Sequence, residues 1–228
     1  MKKLILLFAL TGSLNAIAQE TSSNFSFGAD IQSRYIWRGL QFGDASPSVQ
    51  PSIEYATGKF TFGAWGAYSL GGNLVQEMDL YLTFEISDAF SLTITDYYFP
   101  TEGAVNNYLT LGDNTGHVYE ATIAFAGTEA FPIGLTVASN FAGASTGSTY
   151  VEASYTKTSG AIEYTLFAGG VFGDDDGYYL TDGSGLINLG ISISKEIQLT
   201  KSFSLPVNTA LIINPDAENV FLTFGFSL

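Results

Sequence analysis

Two arginines stand four positions apart in "SRYIWRGLQFGD", Arg34 and Arg38, in a chain that carries 8 Lys+Arg against 22 Asp+Glu. A guanidinium is a permanent cation whose donors form a planar fork, so it can clamp a carboxylate or set the field across a narrow water path. Carboxylates that could answer it recur along the chain at Asp30, Glu54, Glu77, Asp79, Glu85, Glu120, Glu152, Glu163 and Glu196. A separate acidic group, Asp174, Asp175, Asp176 and Asp182 in "GDDDGYYLTDGSG", offers the hard oxygen ligands that calcium takes. Its spacing matches no EF-hand loop, and a solvated loop is the simpler account. His117 is the lone histidine and therefore the only imidazole base available to a hydrolase. No recognisable nucleophile motif accompanies it, so no catalytic residue is assigned.

The elements that must position these side chains begin after residue 18. "MKKLILLFALTGSLNAIA" has a cationic start, a short apolar run and small residues at its end, the pattern of a cleaved secretory leader. Residues 19–228 then read as a single domain. The formal net charge is −14, which argues against nucleic acid as a partner. There is no cysteine, so disulfides and thiolate metal sites are excluded. Charged residues make up only 13% of the chain and aromatics 14%, where soluble domains carry about 25% charged residues. Yet after the leader no window holds the ~18 apolar residues of a transmembrane helix. An exported apolar chain without such helices points to a transmembrane β-barrel, the other fold that satisfies every backbone hydrogen bond in lipid.

Period-two alternation supports this segment by segment. Segment 25–38 sets Phe25, Phe27, Ala29, Ile31, Tyr35 and Trp37 against Ser26, Gly28, Asp30, Gln32, Arg34 and Arg38. Segment 74–87 sets Leu74, Met78, Leu80, Leu82, Phe84 and Ile86 against Glu77, Asp79, Tyr81, Thr83 and Glu85. Comparable runs fall at 48–57, 59–70, 89–99, 117–126, 131–142, 149–157, 161–173, 186–197, 203–213 and 219–228, giving about twelve strands of spanning length. In 48–57, Pro51 lacks the N–H of a ladder residue. In 89–99 the phase breaks at Asp96, which a β-bulge would turn away from lipid. In 186–197 the outward row begins at Ile187. Odd-numbered connections are long and even-numbered ones short, as expected for extracellular loops and periplasmic turns. The expected fold is thus an all-β, antiparallel up-and-down barrel of about twelve strands.

In that barrel Arg34 and Arg38 point into the lumen, while Tyr35 and Trp37 join the aromatic girdle at the lipid interface. A hairpin folded about Gly43 places Arg34 opposite Ser52 and diagonal to Glu54. The arginines then either neutralise luminal carboxylates or form a constriction that filters small solutes.

Several segments, in order, resemble the TorF family of outer-membrane porins. They are "SRYIWRGLQFGDASPSVQPSIEYATGKFTFGAWGAY", "QEMDLYLTF", "TDYYFP" and "HVYEATIAF", which together span roughly residues 30–142. The resemblance carries over Arg38, Gly39, Gln50, Glu54, Trp65, Glu77, Asp79, Tyr81 and Pro100, and departs from the family in the loop "FGDASPS". It implies a porin barrel of the bacterial outer membrane without fixing its substrate, and the leading expectation from the residues is passive diffusion of small hydrophilic solutes or ions through an acid-rich lumen that favours cations. Candidate pore-lining residues are Asp30, Arg34, Arg38, Glu54, Trp65, Glu77, Asp79, Tyr81, Glu85, Glu120, Glu152 and Glu163. Expected partners are outer-membrane lipid, the transported solutes, and the barrel assembly machinery through the terminal "FLTFGFSL". No cofactor is expected, and the sequence carries no oligomer signature. The alternatives are a closed barrel with a surface binding or structural role, and an outer-membrane lipid-modifying enzyme using His117.

Overall fold

The computed structural model describes residues 24–72, 75–100, 107–110 and 115–228. The expected leader at 1–18 and Leu74 lie outside these residues. The described chain is all β, with strands β1 (Phe25–Gln32), β2 (Tyr35–Trp37), β3 (Leu40–Phe42), β4 (Ser48–Thr57), β5 (Phe60–Ser69), β6 (Gln76–Glu85) and β7 (Phe90–Tyr98). These are followed by β8 (His117–Phe125), β9 (Gly134–Gly143), β10 (Thr149–Ser159), β11 (Ile162–Asp174), β12 (Gly183–Gln198), β13 (Ser204–Asn214) and β14 (Asn219–Ser227). Twelve of them close into an antiparallel up-and-down barrel, in the order β1-β14-β13-β12-β11-β10-β9-β8-β7-β6-β5-β4, while β2 and β3 pair only with each other. Closure joins Asp30 to Ser227, Ile31 to Phe226 and Gln32 to Gly225. Leu228 and Ala29 exchange backbone hydrogen bonds at 3.0 and 3.2 Å, so Leu228 helps seal the seam.

Alternating side chains give the wall two faces. Outside, Phe27 is 88% exposed, Leu222 72% and Phe224 67%, an apolar surface far larger than water-soluble monomers carry and suited to lipid. No helix among the described residues is long and apolar enough to cross a membrane. Gln50 and Pro51 have no partners in the otherwise continuous β4–β5 register, as the missing proline N–H dictates.

Three expectations about facing are corrected. First, β1 ends at Gln32, and the chain bends at Ser33 and Arg34 instead of continuing as strand to residue 38. Second, β7 pairs without a register shift through Asp96, so the expected bulge is absent and Asp96 shares the outer face with Leu92 and Ile94. Third, Gly169 pairs with Asn188 but Gly170 with Leu186. Ile187 is therefore the extra residue of a bulge, and with 0% exposure it joins the interior cluster instead of the outer face.

Candidate functional site

The bend at Ser33 and Arg34 sends the chain into the barrel at its long-loop end. There β2 and β3 form a tight hairpin, with Tyr35 opposite Phe42 and Trp37 opposite Leu40. Its turn residues Arg38 and Gly39 have φ of 47° and 81°, the left-handed pair that a two-residue type I′ turn requires. Gly39 is obligatory on a second ground: a Cβ there would lie 1.8 Å from the carbonyl oxygen of Ile187 on β12.

Tyr35, Ile36, Trp37 and Leu40 are all buried. Tyr35, Trp37 and Leu40 pack with Ala67, Tyr97, Val118, Ala138, Tyr150, Val171, Tyr179 and Ile187, residues of β5 and of β7 to β12 and their loops. Ile36 turns the other way, onto Ile212 and Phe221 of β13 and β14. The hairpin thus touches the wall nearly all the way round and fills this end of the lumen. Trp37 stacks on Tyr179 at 5.5 Å and 6° and meets Tyr97 edge-on at 5.7 Å. The expected girdle role of Tyr35 and Trp37 is overturned, because their apolar surroundings are the packed interior instead of lipid.

Arg38, at the hairpin tip, reaches the far wall. Its two terminal nitrogens take both carboxylate oxygens of Glu120 on β8, at 2.5 and 2.9 Å, and it also donates to the Tyr179 hydroxyl. The guanidinium carbon lies 4.5 Å from the Trp37 ring centre and 4.7 Å from that of Tyr150. Glu120 accepts two further bonds, from Thr122 at 2.8 Å and Tyr97 at 3.2 Å. This is a buried ion pair with its remaining lone pairs satisfied, the condition under which such a pair is tolerated.

Arg34 does not face Glu54. It bonds Gln41 Oε1 at 2.8 Å within the hairpin, while Ser52 pairs with Gly28 and Glu54 with Ser26. Glu54 accepts instead from Tyr81 at 2.5 Å and Ser26 at 3.4 Å. The Tyr81 ring lies over Gly63, where any Cβ would collide with it. Among the described residues Arg38–Glu120 is the ion pair that an arginine makes, so one arginine of the expected two acts as a counter-ion.

The other candidates take these positions. Glu77 and Asp79 are buried together on β6, where Tyr35 donates to Glu77 at 2.8 Å and the Tyr98 N–H to Asp79 at 3.3 Å. Trp65 packs on Tyr35 at 5.6 Å. Glu152 accepts from Tyr150 at 2.5 Å and Asn188 at 2.9 Å. Asp30 is buried on the inner face, Glu163 half-buried and Glu85 exposed at the short-turn end. Along β6 and β10 the inward side chains go from buried (Glu77, Asp79; Tyr150, Glu152) to exposed (Glu85; Thr156, Thr158) toward the short turns. The stopper therefore sits at one end of the lumen. Sequence reading missed the tyrosines that hold it, Tyr35, Tyr97, Tyr150 and Tyr179. The one available signal was "GYYL" in the acidic loop, two aromatics where a solvated loop needs none.

The acidic loop does not gather its carboxylates, and among the described residues no three acidic or histidine groups converge as metal ligands. Asp174 is buried and accepts from Ser148, from the N–H groups of Tyr179 and Thr181, and from the Thr181 hydroxyl. It folds the loop that presents Tyr179. Asp176 accepts from Thr146 N at 3.0 Å, Ser148 at 3.1 Å and Tyr178 N at 3.3 Å. Burial alone would raise its pKa, but these bonds and one from Ser145 hold it below the ordinary aspartate value. Asp175 and Asp182 are exposed.

His117 stands on the outer face, away from Glu120. Its Nδ1 lies 2.7 Å from Asp96 Oδ1 and its Nε2 3.0 Å from the Tyr108 carbonyl, and Tyr108 donates its hydroxyl to Asp96 at 2.7 Å. Tyr98 and Tyr108 flank the ring at 4.6 and 4.9 Å. Both ring nitrogens are thus engaged by groups that are not nucleophiles, and the cluster ties the β7–β8 loop to the wall.

A search of curated proteins found no match. A family model described as "Bacterial protein of unknown function (Gcw_chp)" matches residues 18–207. That span takes in the hairpin, Arg38, Glu120 and every strand up to the middle of β13, so the chain belongs to the Gcw_chp family of bacterial proteins.

Proposed function

We propose that the protein is a bacterial outer-membrane barrel closed at rest by its β2–β3 hairpin, and that small hydrophilic solutes or ions pass, as through a porin, when the hairpin yields. The observation that carries this reading is the stopper itself, an aromatic hairpin crossing the lumen and fastened to the opposite wall by Arg38 and Glu120. The apolar outer wall supports placement in lipid, and the long loops support an extracellular position for the stopper. Inward carboxylates that become exposed toward the short turns favour cations over anions on the periplasmic side. The ordered resemblance of residues 30–142 to TorF porins agrees with a transport role. Enzymatic use of His117 is not part of the reading, since its Nε2 faces a backbone carbonyl.

Planar-bilayer recording tests it. Wild-type protein is expected to give little sustained current. A variant with residues 34–41 replaced by a short Gly-Ser linker, shown to be folded by its β-sheet circular dichroism, is expected to conduct ohmically with cation preference. Glu120→Gln, which keeps the shape and removes the charge, is expected to open more often than wild type. Equal currents from all three proteins would discard the stopper, and absence of current from the folded linker variant would favour a permanently closed barrel with a surface role.

A further inference from the structure

Glu77 and Asp79 stand two residues apart on the inner face of β6, and each is 2% exposed. Their side chains lie within hydrogen-bond reach of each other. No arginine or lysine among the described residues pairs with either, since Arg38 is bound to Glu120. Two carboxylates in contact, out of water and without a cation, repel each other and lose their hydration. A proton between them relieves both effects, because one carboxyl group then donates to the other.

The hairpin is what keeps water from this pair. Tyr35 donates its hydroxyl to Glu77 at 2.8 Å, and its ring packs on Trp65, the β5 partner of Asp79. The remaining neighbours bring no positive charge. From β5 come Trp65 and Ala67, from β7 Tyr97 and, behind the wall, Asp96, and from the β11–β12 loop Tyr178. The wall adds a backbone donor, the Tyr98 N–H, 3.3 Å from Asp79. The hairpin's own cations point elsewhere, Arg34 to Gln41 and Arg38 to Glu120.

Withdrawal of the hairpin brings water to both carboxyl groups, and hydrated carboxyl groups ionise near pH ~4. Seating the hairpin therefore takes up one proton, and releasing it gives that proton back. By linkage, a state that binds the extra proton is favoured at low pH and loses its advantage as pH rises.

We propose that Glu77 and Asp79 form a proton latch for the β2–β3 hairpin, which stays seated while they share a proton and is freed when both are ionised. The proposal rests on the reading of the hairpin as a stopper. The two fastenings differ in kind, since Arg38 and Glu120 hold by opposite charge and the carboxyl pair holds by a proton.

The test uses full-length wild type and Glu120→Gln, whose weakened ion pair makes openings frequent enough to count. Each is recorded in planar bilayers from about pH 5 to about pH 9, above the ordinary carboxylate range. Tryptophan emission in detergent is followed in parallel, because Trp37 lies in the hairpin and Trp65 packs against it. The ratio of open to closed time is expected to rise with pH, by up to about tenfold per pH unit for one proton, and the emission to shift to the red. Asp79→Asn and Glu77→Gln, each made in the Glu120→Gln background and shown folded by circular dichroism, place a permanent N–H donor between the two side chains. Both are expected to stay mostly closed and to lose the slope. A slope that survives both substitutions overturns the proposal in favour of another group, such as the lone histidine. Absence of a slope, when the Gly-Ser linker variant conducts, overturns the latch and leaves the stopper standing. If the linker variant does not conduct, the channel reading fails and the emission decides: a red shift with pH that Asp79→Asn abolishes supports the latch, and a flat emission overturns it. A slope removed by EDTA overturns it in favour of a divalent cation between the carboxylates.

Discussion

Arg38 carries the heaviest demands of any side chain in the molecule. It occupies a left-handed backbone position, lies between two aromatic rings and neutralises a fully buried carboxylate. Arg38→Met retains much of the packing volume but leaves Glu120 buried without its cation. A loss of about 3–5 kcal/mol is expected, read as a lower urea midpoint in detergent, and Arg38→Met/Glu120→Leu is expected to recover a large part of it. Asp176 gives a prediction of the opposite kind. Its pKa is lowered in the folded loop, so the stability it contributes is complete above the ordinary value of 3.8 and is lost as pH falls through the lowered one. The contact of the β9–β10 loop with the β11–β12 loop is therefore expected to loosen only in acid. In Asp176→Asn, hydrogen exchange at Thr146 and Tyr178 is expected to be faster at neutral pH and to lose the acid step.

At the scale of elements, the hairpin and the barrel strands obey the same local rule with different results. In β1 the apolar row Phe25, Phe27, Ala29 and Ile31 faces outward from the barrel, and in β2 the continuation of that row, Tyr35 and Trp37, meets the packed lumen. Alternation reports that a strand has an apolar and a polar side. It does not report which medium the apolar side enters. The clue lay in the glycines, since Gly39 and Gly43 bracket "LQF" at the spacing of a short return strand. The same limit explains Ile187, where one extra residue in β12 turns a side chain from the outer face to the interior without any local change in composition. Asp96 is the converse case, a charge on the outer face that pairs with His117 and Tyr108 across the strand and loop, so no bulge is needed to hide it.

For the whole molecule the balance is between an apolar outer wall and a plugged lumen inside. Phe224 lies on the outer face midway along β14, next to inward Thr223. If the wall spans a bilayer, Phe224→Arg is expected to cost about 2–4 kcal/mol near the midplane, measured by denaturant unfolding from lipid vesicles. Thr223→Ser, on the inner face, serves as the control and is expected to change little. Equal effects for the two substitutions would contradict a lipid-facing outer wall.

The sequence by itself determined the number of barrel strands, nearly all their limits, the alternation of long and short connections and the two faces of most strands, with Ile187 and Asp96 the exceptions. These depend on side-chain period and turn chemistry, which are local. Only the tertiary structure decided that a stretch of the first long connection turns inward as a hairpin, that Arg38 meets Glu120 while Arg34 meets Gln41, and that Tyr97, Tyr150 and Tyr179 surround the tip. Those partners are brought together by closure of the barrel, and closure acts between residues far apart in the chain, where no local pattern reaches.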